Sequence, residues 1–334
     1  MYGIINKKLK MKAELFMIMA AATMILAGCS NDENEPVDNW NGEIRLTSGV
    51  TLQTRANTQA EQILNDEVVF VWADKATEPT ATEYINAWLL TAKGSGNFTG
   101  SSQYYPTDGS KLDFYALHGH FDSMTQPSVF PMTLIHVVKD NQSDTNMQEY
   151  AHSDLLYAVK KGVERSSNAV ELTFYHMLSK VEVALKAGDG NPDLTGATVT
   201  IEGTKTKADF TPDKSATMTN QSDRANMVKL TTSDVNNAIS IKIKTVTTTN
   251  FNSNSDYGEA VVVPQTITKG TAFIKVKLSN NAVFSYKIPD SSGLTLESGK
   301  KYTYKITVNQ SGLTVTSEIE PWEAVNAVGD AVMD

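Results

Sequence analysis

The feature that most constrains the fold is an alternation of apolar and polar residues that recurs along the chain. The segments Val181–Lys186, Ile239–Lys244 and Phe273–Leu278 each place aliphatic side chains at every second position, with polar or small residues between them. Period two predicts antiparallel strands with one face buried and the other solvated. Further strand candidates, all short and bounded by turn-forming residues, are Glu43–Leu46, Val50–Leu52, Glu67–Trp72, Tyr84–Thr91, Lys111–Leu117, Leu155–Val159, Val170–Tyr175, Val283–Ile288, Tyr302–Val308 and Leu313–Ile319.

The sequence therefore predicts an all-β protein. After residue 41 no stretch has the 3.6-residue periodicity of a helix of ten or more residues. In Lys111–Leu117 the two faces differ only partly, which favours a strand that is covered on both sides. Many strands at intervals of about ten residues are typical of β-sandwiches. A chain of 334 residues is long enough for two of them, with a boundary near His176–Lys180.

The N-terminal segment predicts export. Four lysines precede an apolar run that ends in Leu26-Ala27-Gly28-Cys29, and acidic residues follow. This pattern is typical of a secretory signal peptide, here residues 1–28. The apolar run is shorter than a typical membrane-spanning helix. The last four residues resemble the lipobox of bacterial lipoproteins, which implies that Cys29 becomes an acylated N-terminus. The alternative is an ordinary signal peptide in which the only Cys stands there by chance. Met1 and Met11 are both candidates for the translation start.

Residues 29–41 are predicted to form an acidic, solvated tether. The run Asp32–Glu35 resembles the export signal of surface lipoproteins in Bacteroidetes, which implies an outer-membrane anchor with the protein body outside the cell. Two or more acyl chains give stable anchoring, whereas one gives only marginal binding. Without the signal peptide the chain carries 25 basic and 37 acidic residues, a formal charge of −12. Such a surface argues against nucleic acid as a partner.

Four short motifs follow one another along the rest of the chain: Glu43–Val50, Thr54–Ala56, Leu172–Val181 and Ile319–Trp322. In their order and spacing they resemble the fimbrillin family, the lipoprotein-derived subunits of type V pili in Bacteroidetes. The resemblance implies two transthyretin-like antiparallel β-sandwich domains. The N-terminal domain would span residues 42–178 and the C-terminal domain residues 179–334.

The resemblance also implies a cut between Arg55 and Ala56. Fimbrillin precursors are cleaved after an Arg by a surface protease, which frees the first strand, here about residues 43–52. Uncovering four or five apolar side chains at roughly 1.5–3 kcal/mol each costs on the order of ten kcal/mol, which rivals the stability of a whole domain. A strand from the next subunit would refill the groove, and such head-to-tail contacts build filaments. The alternative is that Arg55 is an ordinary loop residue. Arg45 lies inside the apolar pattern and would be protected.

Two further segments are candidates for assembly or modification. The tail Trp322–Asp334 is apolar enough to serve as the donor strand, although it could equally be the last strand of its own domain. Asp122-Ser123-Met124 resembles the short O-glycosylation motif of exported Bacteroidetes proteins, which makes Ser123 a candidate glycosylation site, with chance occurrence as the alternative.

Metal and cofactor chemistry is not expected. His118-Gly119-His120 places two imidazoles on the same strand face, a spacing that could begin a metal site. The other histidines, His136, His152 and His176, are scattered in the sequence. We therefore expect no metal ion and no cofactor.

Catalysis is not expected either. The chain has no Gly-x-Ser-x-Gly motif. Its glycine-rich stretches lack the residues of a phosphate loop or a calcium loop, so Lys93–Gly100 is interpreted as a hairpin connection and Gly188–Asp193 as a turn. A pair of catalytic carboxylates is defined in space and stays open at this stage. Several aromatic residues could form a sugar-stacking platform, but strand aromatics more often pack in a core. These are Trp72, Trp88, Tyr104, Tyr105 and Tyr115.

The sequence thus favours a non-enzymatic, surface-exposed fimbrial subunit that assembles with copies of itself or related subunits. The first alternative is a surface lipoprotein that does not polymerise, or a filament anchor or tip, that binds glycans or host protein. The second is a carbohydrate-active enzyme on a β-sandwich.

Overall fold

Strands make up most of the structure, as the alternating pattern predicts. The computed structural model describes residues 40–50, 63–76, 81–121, 130–143, 148–231, 236–242, 257–289 and 293–322. In the first half the elements are β1 (Leu46–Val50), β2 (Val68–Lys75), β3 (Thr82–Ala92), β4 (Phe98–Gly100), β5 (Leu112–His118), β6 (Leu134–Val137), α1 (Gln148–Ser153), β7 (Leu156–Val163) and β8 (Val170–His176).

The second half continues with strands and one more short helix. Its elements are β9 (Ser179–Ala187), β10 (Thr198–Lys205), β11 (Lys207–Phe210), α2 (Gln221–Met227), β12 (Val228–Leu230), β13 (Asn236–Ile241), β14 (Tyr257–Val262), β15 (Gln265–Ile267), β16 (Ala272–Lys277), β17 (Val283–Lys287), β18 (Leu294–Leu296), β19 (Lys300–Asn309) and β20 (Gly312–Pro321). The all-β prediction is confirmed, and most of the predicted strands lie within a few residues of an observed one. The sequence analysis did not predict β4, β6, β10, β11, β12, β14, β15 and β18.

The first half is organised by a seven-stranded sheet with the order β1-β8-β7-β5-β2-β3-β4. The sheet curls until its two ends approach each other, since Thr47 in β1 forms an antiparallel bridge with Asn97 just before β4. Alternate residues of each strand point into the curl and form one apolar core, with Val71, Phe114 and Phe174 fully buried there. This core is made from the first half of the chain.

The outer face of the same sheet is buried as well. Phe70, Trp72, Tyr115 and Tyr157 belong to a second, larger apolar core that includes the strands of the second half. Because β5 sends residues into both cores, its two faces are both covered. The prediction from the weakly alternating Lys111–Leu117 segment is confirmed.

The second half contains two four-stranded sheets, β13-β10-β16-β17 and β14-β9-β19-β20, together with smaller sheets β12-β11-β6 and β15-β18. The aliphatic faces of both larger sheets contribute to the second core, for example Val183 and Ile274. Ring contacts link the two sheets, with the centroids of Phe273 and Tyr304 5.8 Å apart.

The two halves are joined by strand pairing and by the shared core. The chain leaves the seven-stranded sheet at His176 and enters a four-stranded sheet at Ser179, close to the predicted boundary. However, β6 of the first half pairs antiparallel with β11 of the second, and the described residues from Trp40 onward form one compact unit. The division into domains at 178/179 stays a prediction.

One local prediction is wrong. Period two predicts a solvated polar face for Val181–Lys186, but Lys180 and Glu182 are buried in the structure. Helix α1 packs against the adjacent strand β14, and Gln142, which lies ahead of α1 in the chain, bonds both backbone groups of Val261 in that strand. The segment between β6 and β7 therefore covers a face that period two alone marks as exposed.

The helices are short. In the part of the chain that the structure describes, α1 has six residues and α2 has seven, and no helix there is long and apolar enough to cross a membrane.

Candidate functional site

The first strand fills a groove at the place where the two ends of the seven-stranded sheet meet. Its side chains alternate strictly: Ile44, Leu46, Ser48 and Val50 are buried, at 4–8% exposure, while the residues between them face outward. The three aliphatic residues pack into the core of the first half. The strand therefore completes that core with one side chain at every second position.

The backbone of this strand is bonded on both of its edges. On one edge β1 runs parallel to β8, with Leu46 opposite Val170 and Val50 opposite Phe174. On the other edge it meets the segment around β4 through separate antiparallel contacts. The hydrogen bonds of that edge are Ile44 N to Gln103 O (2.7 Å), Ser48 N to Gly96 O (2.7 Å) and Tyr105 N to Gly42 O (2.9 Å).

The two edges differ in packing. Beside the β4 edge lies a cavity of about 320 Å³, lined by residues 43–47, which lead into β1, together with Trp88, Leu90, Phe98 and Ala169. Around it Trp88 donates from Nε1 to the carbonyl of Ser101 (2.8 Å). The first strand is therefore paired continuously with β8, and its contacts with β3 and β4 surround this cavity.

Gly96 allows the close approach on the β4 edge. Its φ is +73°, and a Cβ built on it would lie 2.4 Å from the carbonyl oxygen of Ser48. A side chain is excluded both by the backbone conformation and by the first strand itself. The sequence interpretation of Lys93–Gly100 as a hairpin connection is confirmed, but its contact with the first strand was missed. In the sequence, the glycines of this stretch were the only indication that another strand could approach its backbone closely.

Both ends of the strand are attached to buried residues. Ahead of it, the Trp40 ring packs edge-on against Tyr105, with centroids 6.0 Å apart, and Arg165 lies over its face at 5.0 Å. Behind it, the described chain stops at Val50 and resumes at Ile63, and both side chains belong to the same core.

The predicted modification and processing residues lie outside the described residues. Cys29 belongs to the segment 1–39, Arg55 and Ala56 to 51–62, and Ser123 to 122–129. Their lipidation, cleavage and glycosylation stay predictions. So does the donor role of the tail, whose first residue Trp322 is fully buried and stacks on His176 at 4.0 Å between ring centroids.

The aromatic residues weighed as a sugar platform do not form one. Trp72, Trp88, Tyr105 and Tyr115 are buried at 1–6% exposure, and only Tyr104 of the five is exposed. They pack in the two cores, as strand aromatics commonly do.

The histidines are less scattered than the sequence suggested. His118 ends β5 and is buried, and His120 lies beyond the strand, so the two do not share a strand face. Instead His118 and His120 line one cavity with His152 of α1. Among the described residues no group of three or more ligand-type side chains is already placed to hold a metal ion.

Comparison with known proteins identifies the family. The sequence matches the fimbrillin-like family over residues 54–322. The chain belongs to the fimbrillin-like family. The matched region begins at Thr54, one residue before Arg55, so β1 lies ahead of it. The matched region ends at the buried Trp322.

One curated relative extends over nearly the full chain of this fimbrillin-like protein. A protein of Bacteroides uniformis, named as a candidate fimbrium subunit, Fim1C, is 27% identical over 335 residues, covering 96% of this chain and 98% of the relative.

Solved structures share the fold. A candidate cell-adhesion protein of Bacteroides uniformis superposes with a TM-score of 0.56 at 21% identity, covering 84% of this chain and 100% of that one. Another, from Bacteroides ovatus, gives a TM-score of 0.57 at 18% identity, covering 85% and 99%. At these identities the likeness concerns the architecture of the fimbrillin-like chain.

Proposed function

We propose that this protein is a subunit of a surface pilus and that its first strand is a removable part of the precursor. Membership of the fimbrillin-like family and the likeness to Fim1C support the pilus role. The single observation that supports strand removal is the position of β1, which lies between β8 and the segment around β4 and so closes the curled sheet. The role is structural, and no catalytic step is proposed.

Removal of β1 would uncover an apolar groove and unpaired backbone groups, which a replacement strand would have to cover. Ile44, Leu46 and Val50 together contribute about 5–9 kcal/mol of burial, at roughly 1.5–3 kcal/mol for each side chain, and this is an upper estimate because the unfolded chain is already partly compact. Backbone groups of β8 and of the β4 segment would lose their partners at the same time. A strand of matching alternation from another subunit can satisfy both.

The cut would fall between two fixed points. Arg55 lies five residues after Val50 and eight before Ile63, and these two core residues hold the flanking chain in place. Cleavage of the Arg55–Ala56 bond would leave β1 held by non-covalent contacts alone. Arg45 directly precedes β1, and its carbonyl accepts a hydrogen bond from the amide of Val170 (2.8 Å), which would protect this residue from a protease.

The remaining steps place the subunit at the cell surface. We propose that acylation of Cys29 anchors the precursor in the outer membrane and that the cut releases the body from this anchor. Related subunits, including copies of this chain, would then supply the incoming strand. Contacts of this head-to-tail kind do not close on themselves and give filaments.

The first experiment treats the mature chain, residues 29–334 with Cys29→Ser to remove the lipid, with an Arg-specific protease under native conditions. We expect one early cut, giving a new N-terminus at Ala56, followed by polymers that are visible by light scattering and electron microscopy. A synthetic peptide spanning residues 42–52 should bind the vacated groove and suppress polymer growth.

Two variants serve as matched controls. Arg55→Ala should abolish both the cut and the polymers, whereas Arg45→Ala should change neither cleavage at Arg55 nor assembly. An early cut elsewhere, or a cut chain that stays monomeric after its first strand has been removed, contradicts the proposal and would favour a non-polymerising surface protein.

A further inference from the structure

The first strand leaves part of its groove unfilled. The cavity of about 320 Å³ beside it has a buried wall that includes Leu46 of β1 together with Trp88 and Leu90 of β3. A cavity of about 150 Å³ lined by apolar side chains is already large enough to hold benzene. The space beside β1 therefore has room for an aromatic ring, which the strand itself does not supply.

The cavity results from an unequal pairing of the two edges. Bridges join Glu43 to Tyr104 and Thr47 to Asn97, so residues 43–47 of one edge face residues 97–104 of the other, five positions against eight. The longer segment contains β4, which pairs with β3 at the end of the seven-stranded sheet. Because β3 holds β4 in place, the space between β4 and the first strand is a built feature of the sheet.

Leu46 is the inward-facing residue that lies opposite this space. At one end of the opening the amide of Ile44 donates to the carbonyl of Gln103 (2.7 Å). At the other end the amide of Ser48 donates to the carbonyl of Gly96 (2.7 Å). Leu46 stands between these two hydrogen bonds and lines the cavity. Position 46 is therefore the place where a strand can direct a larger side chain into the space.

The walls of the cavity suit an aromatic ring. Trp88 and Leu90 are buried and Phe98 is half-buried, whereas Ser101 and Ser102 at the rim are exposed. The ring of Trp88 is held by a hydrogen bond from its Nε1 to the carbonyl of Ser101 (2.8 Å). Pairs of aromatic rings that pack edge-on or offset gain stability beyond the area that they bury. The wall therefore favours an aromatic side chain over an aliphatic one.

We infer, on the basis of the proposed removal of β1, that the vacated groove selects an incoming strand with an aromatic side chain at the position of Leu46. The partner is an extended segment of another pilus subunit, with aliphatic residues at the positions of Ile44 and Val50. Such a strand fills the space that β1 leaves open, so it binds more tightly than β1. Exchange then runs in one direction, from the aliphatic strand of the precursor to the aromatic strand of the partner.

The test uses the mature chain with Cys29→Ser after the Arg-specific cut and the removal of its first strand. The probes are the labelled peptide spanning residues 42–52 and the same peptide with Leu46→Phe or Val50→Phe, and fluorescence anisotropy measures their binding. We expect Leu46→Phe to bind several-fold to about tenfold more tightly than the parent peptide, which is the usual contribution of a packed aromatic pair.

Val50→Phe is the matched control. Val50 is buried in the same core, but it lies beyond residues 43–47, which line the cavity. A ring at this packed position should weaken binding by roughly tenfold or more. In the uncut chain, where no exchange is needed, Leu46→Phe should raise the urea midpoint of unfolding and Val50→Phe should lower it.

The outcomes separate this inference from the proposed function. If the parent peptide does not bind the cut chain, the proposed strand removal is wrong and the inference falls with it. If the parent peptide binds and Leu46→Phe binds equally or more weakly, strand removal stands and the aromatic preference is overturned. A lower urea midpoint for Leu46→Phe in the uncut chain overturns the preference as well, whatever the peptides do.

Discussion

Two pairs of strands in the described residues run parallel, and they are built in opposite ways. β1 pairs with β8 at the end of the seven-stranded sheet, over five residues. β9 pairs with β19 in the middle of a four-stranded sheet, over eight residues. The first pair is held by aliphatic side chains on one face, whereas the second is covered on both faces and contains buried charges.

The buried charges form a continuous row across the second pair. Lys180 and Lys301 lie opposite each other and are both fully buried. Lys180 forms ion pairs with Glu182 (3.1 Å) and Glu259, and Lys301 with Glu320 (2.9 Å). Burial by itself lowers the pKa of Lys180, but the two carboxylates outweigh it and the net shift is upward. Lys180 therefore remains charged inside the protein.

The difference shows how one fold can combine a strand suited to removal, as proposed for β1, with a strand suited to a permanent core. An aliphatic strand leaves behind an apolar groove, which any strand of matching pattern can fill again. A strand that carries half of an ion pair leaves an uncompensated buried charge, which few replacements can satisfy. The aliphatic design of β1 suits exchange, and the charged design of β9 and β19 suits a fixed core.

The largest expected effect comes from breaking the permanent pair. Lys180→Met keeps the length of the side chain but leaves Glu182 and Glu259 buried without their cation. We expect a loss of about 3–5 kcal/mol in the free energy of unfolding, the usual result of removing one partner of a buried ion pair. Urea denaturation of the uncut chain measures it.

Lys75→Met is the matched control for that experiment. Its ion pair with Asp108 (2.7 Å) is partly exposed, at 25% and 54% of the two side chains, so the loss should stay below about 1 kcal/mol. Equal losses in the two variants would show that the buried row gives no special stability to the second pair.

The next effect comes from the removable strand. Leu46→Ala should destabilise the uncut chain by about 2–5 kcal/mol, because it leaves a cavity in the core of the first half. Leu185→Ala in β9, a leucine of similar burial, should cost about as much in the uncut chain. Once β1 has been cut and removed, Leu46→Ala should have no effect while Leu185→Ala keeps its full effect. Denaturation of both forms tests this, and a persistent effect of Leu46→Ala after strand removal would contradict the assignment of β1.

Much of the fold could be predicted from the sequence because period two is a local signal. The side-chain patterns of Val181–Lys186 and Lys111–Leu117 predict strands on their own, and the structure has strands there. The chain changes sheet between His176 and Ser179, whereas the domain boundary expected there stays a prediction. Such features depend on neighbouring residues, which a sequence displays directly.

The errors concern contacts between distant segments. The alternation predicts a solvated face for Lys180 and Glu182, but both are buried, and the segment with Gln142 and α1 packs against the neighbouring strand β14. His152 lies 32 positions from His120, and no spacing rule joins it to Glu67. The parallel order of β1 beside β8 is likewise a matter of long-range topology. These features are set by which elements pack together, and local periodicity carries no information about that.

The smallest expected effect isolates the contact between β1 and the turn before β4. Gly96→Ala should push the new Cβ against the carbonyl of Ser48 and should also strain a residue at φ +73°, for a combined loss of about 1–3 kcal/mol. Gly109→Ala is the matched control: its φ is +75°, and nothing lies within 4 Å of the new Cβ. It should show the cost of the backbone conformation alone.

The difference between these two glycine variants therefore measures the steric contact with the first strand. In the uncut chain Gly96→Ala should be the less stable, and the amides of residues 46–50 should exchange hydrogen faster than in Gly109→Ala. After removal of β1 the two variants should become equal, because the carbonyl of Ser48 has left with the strand. If the gap between them survives strand removal, the β4 edge is strained for a reason other than β1, and the groove is closed by the turn itself.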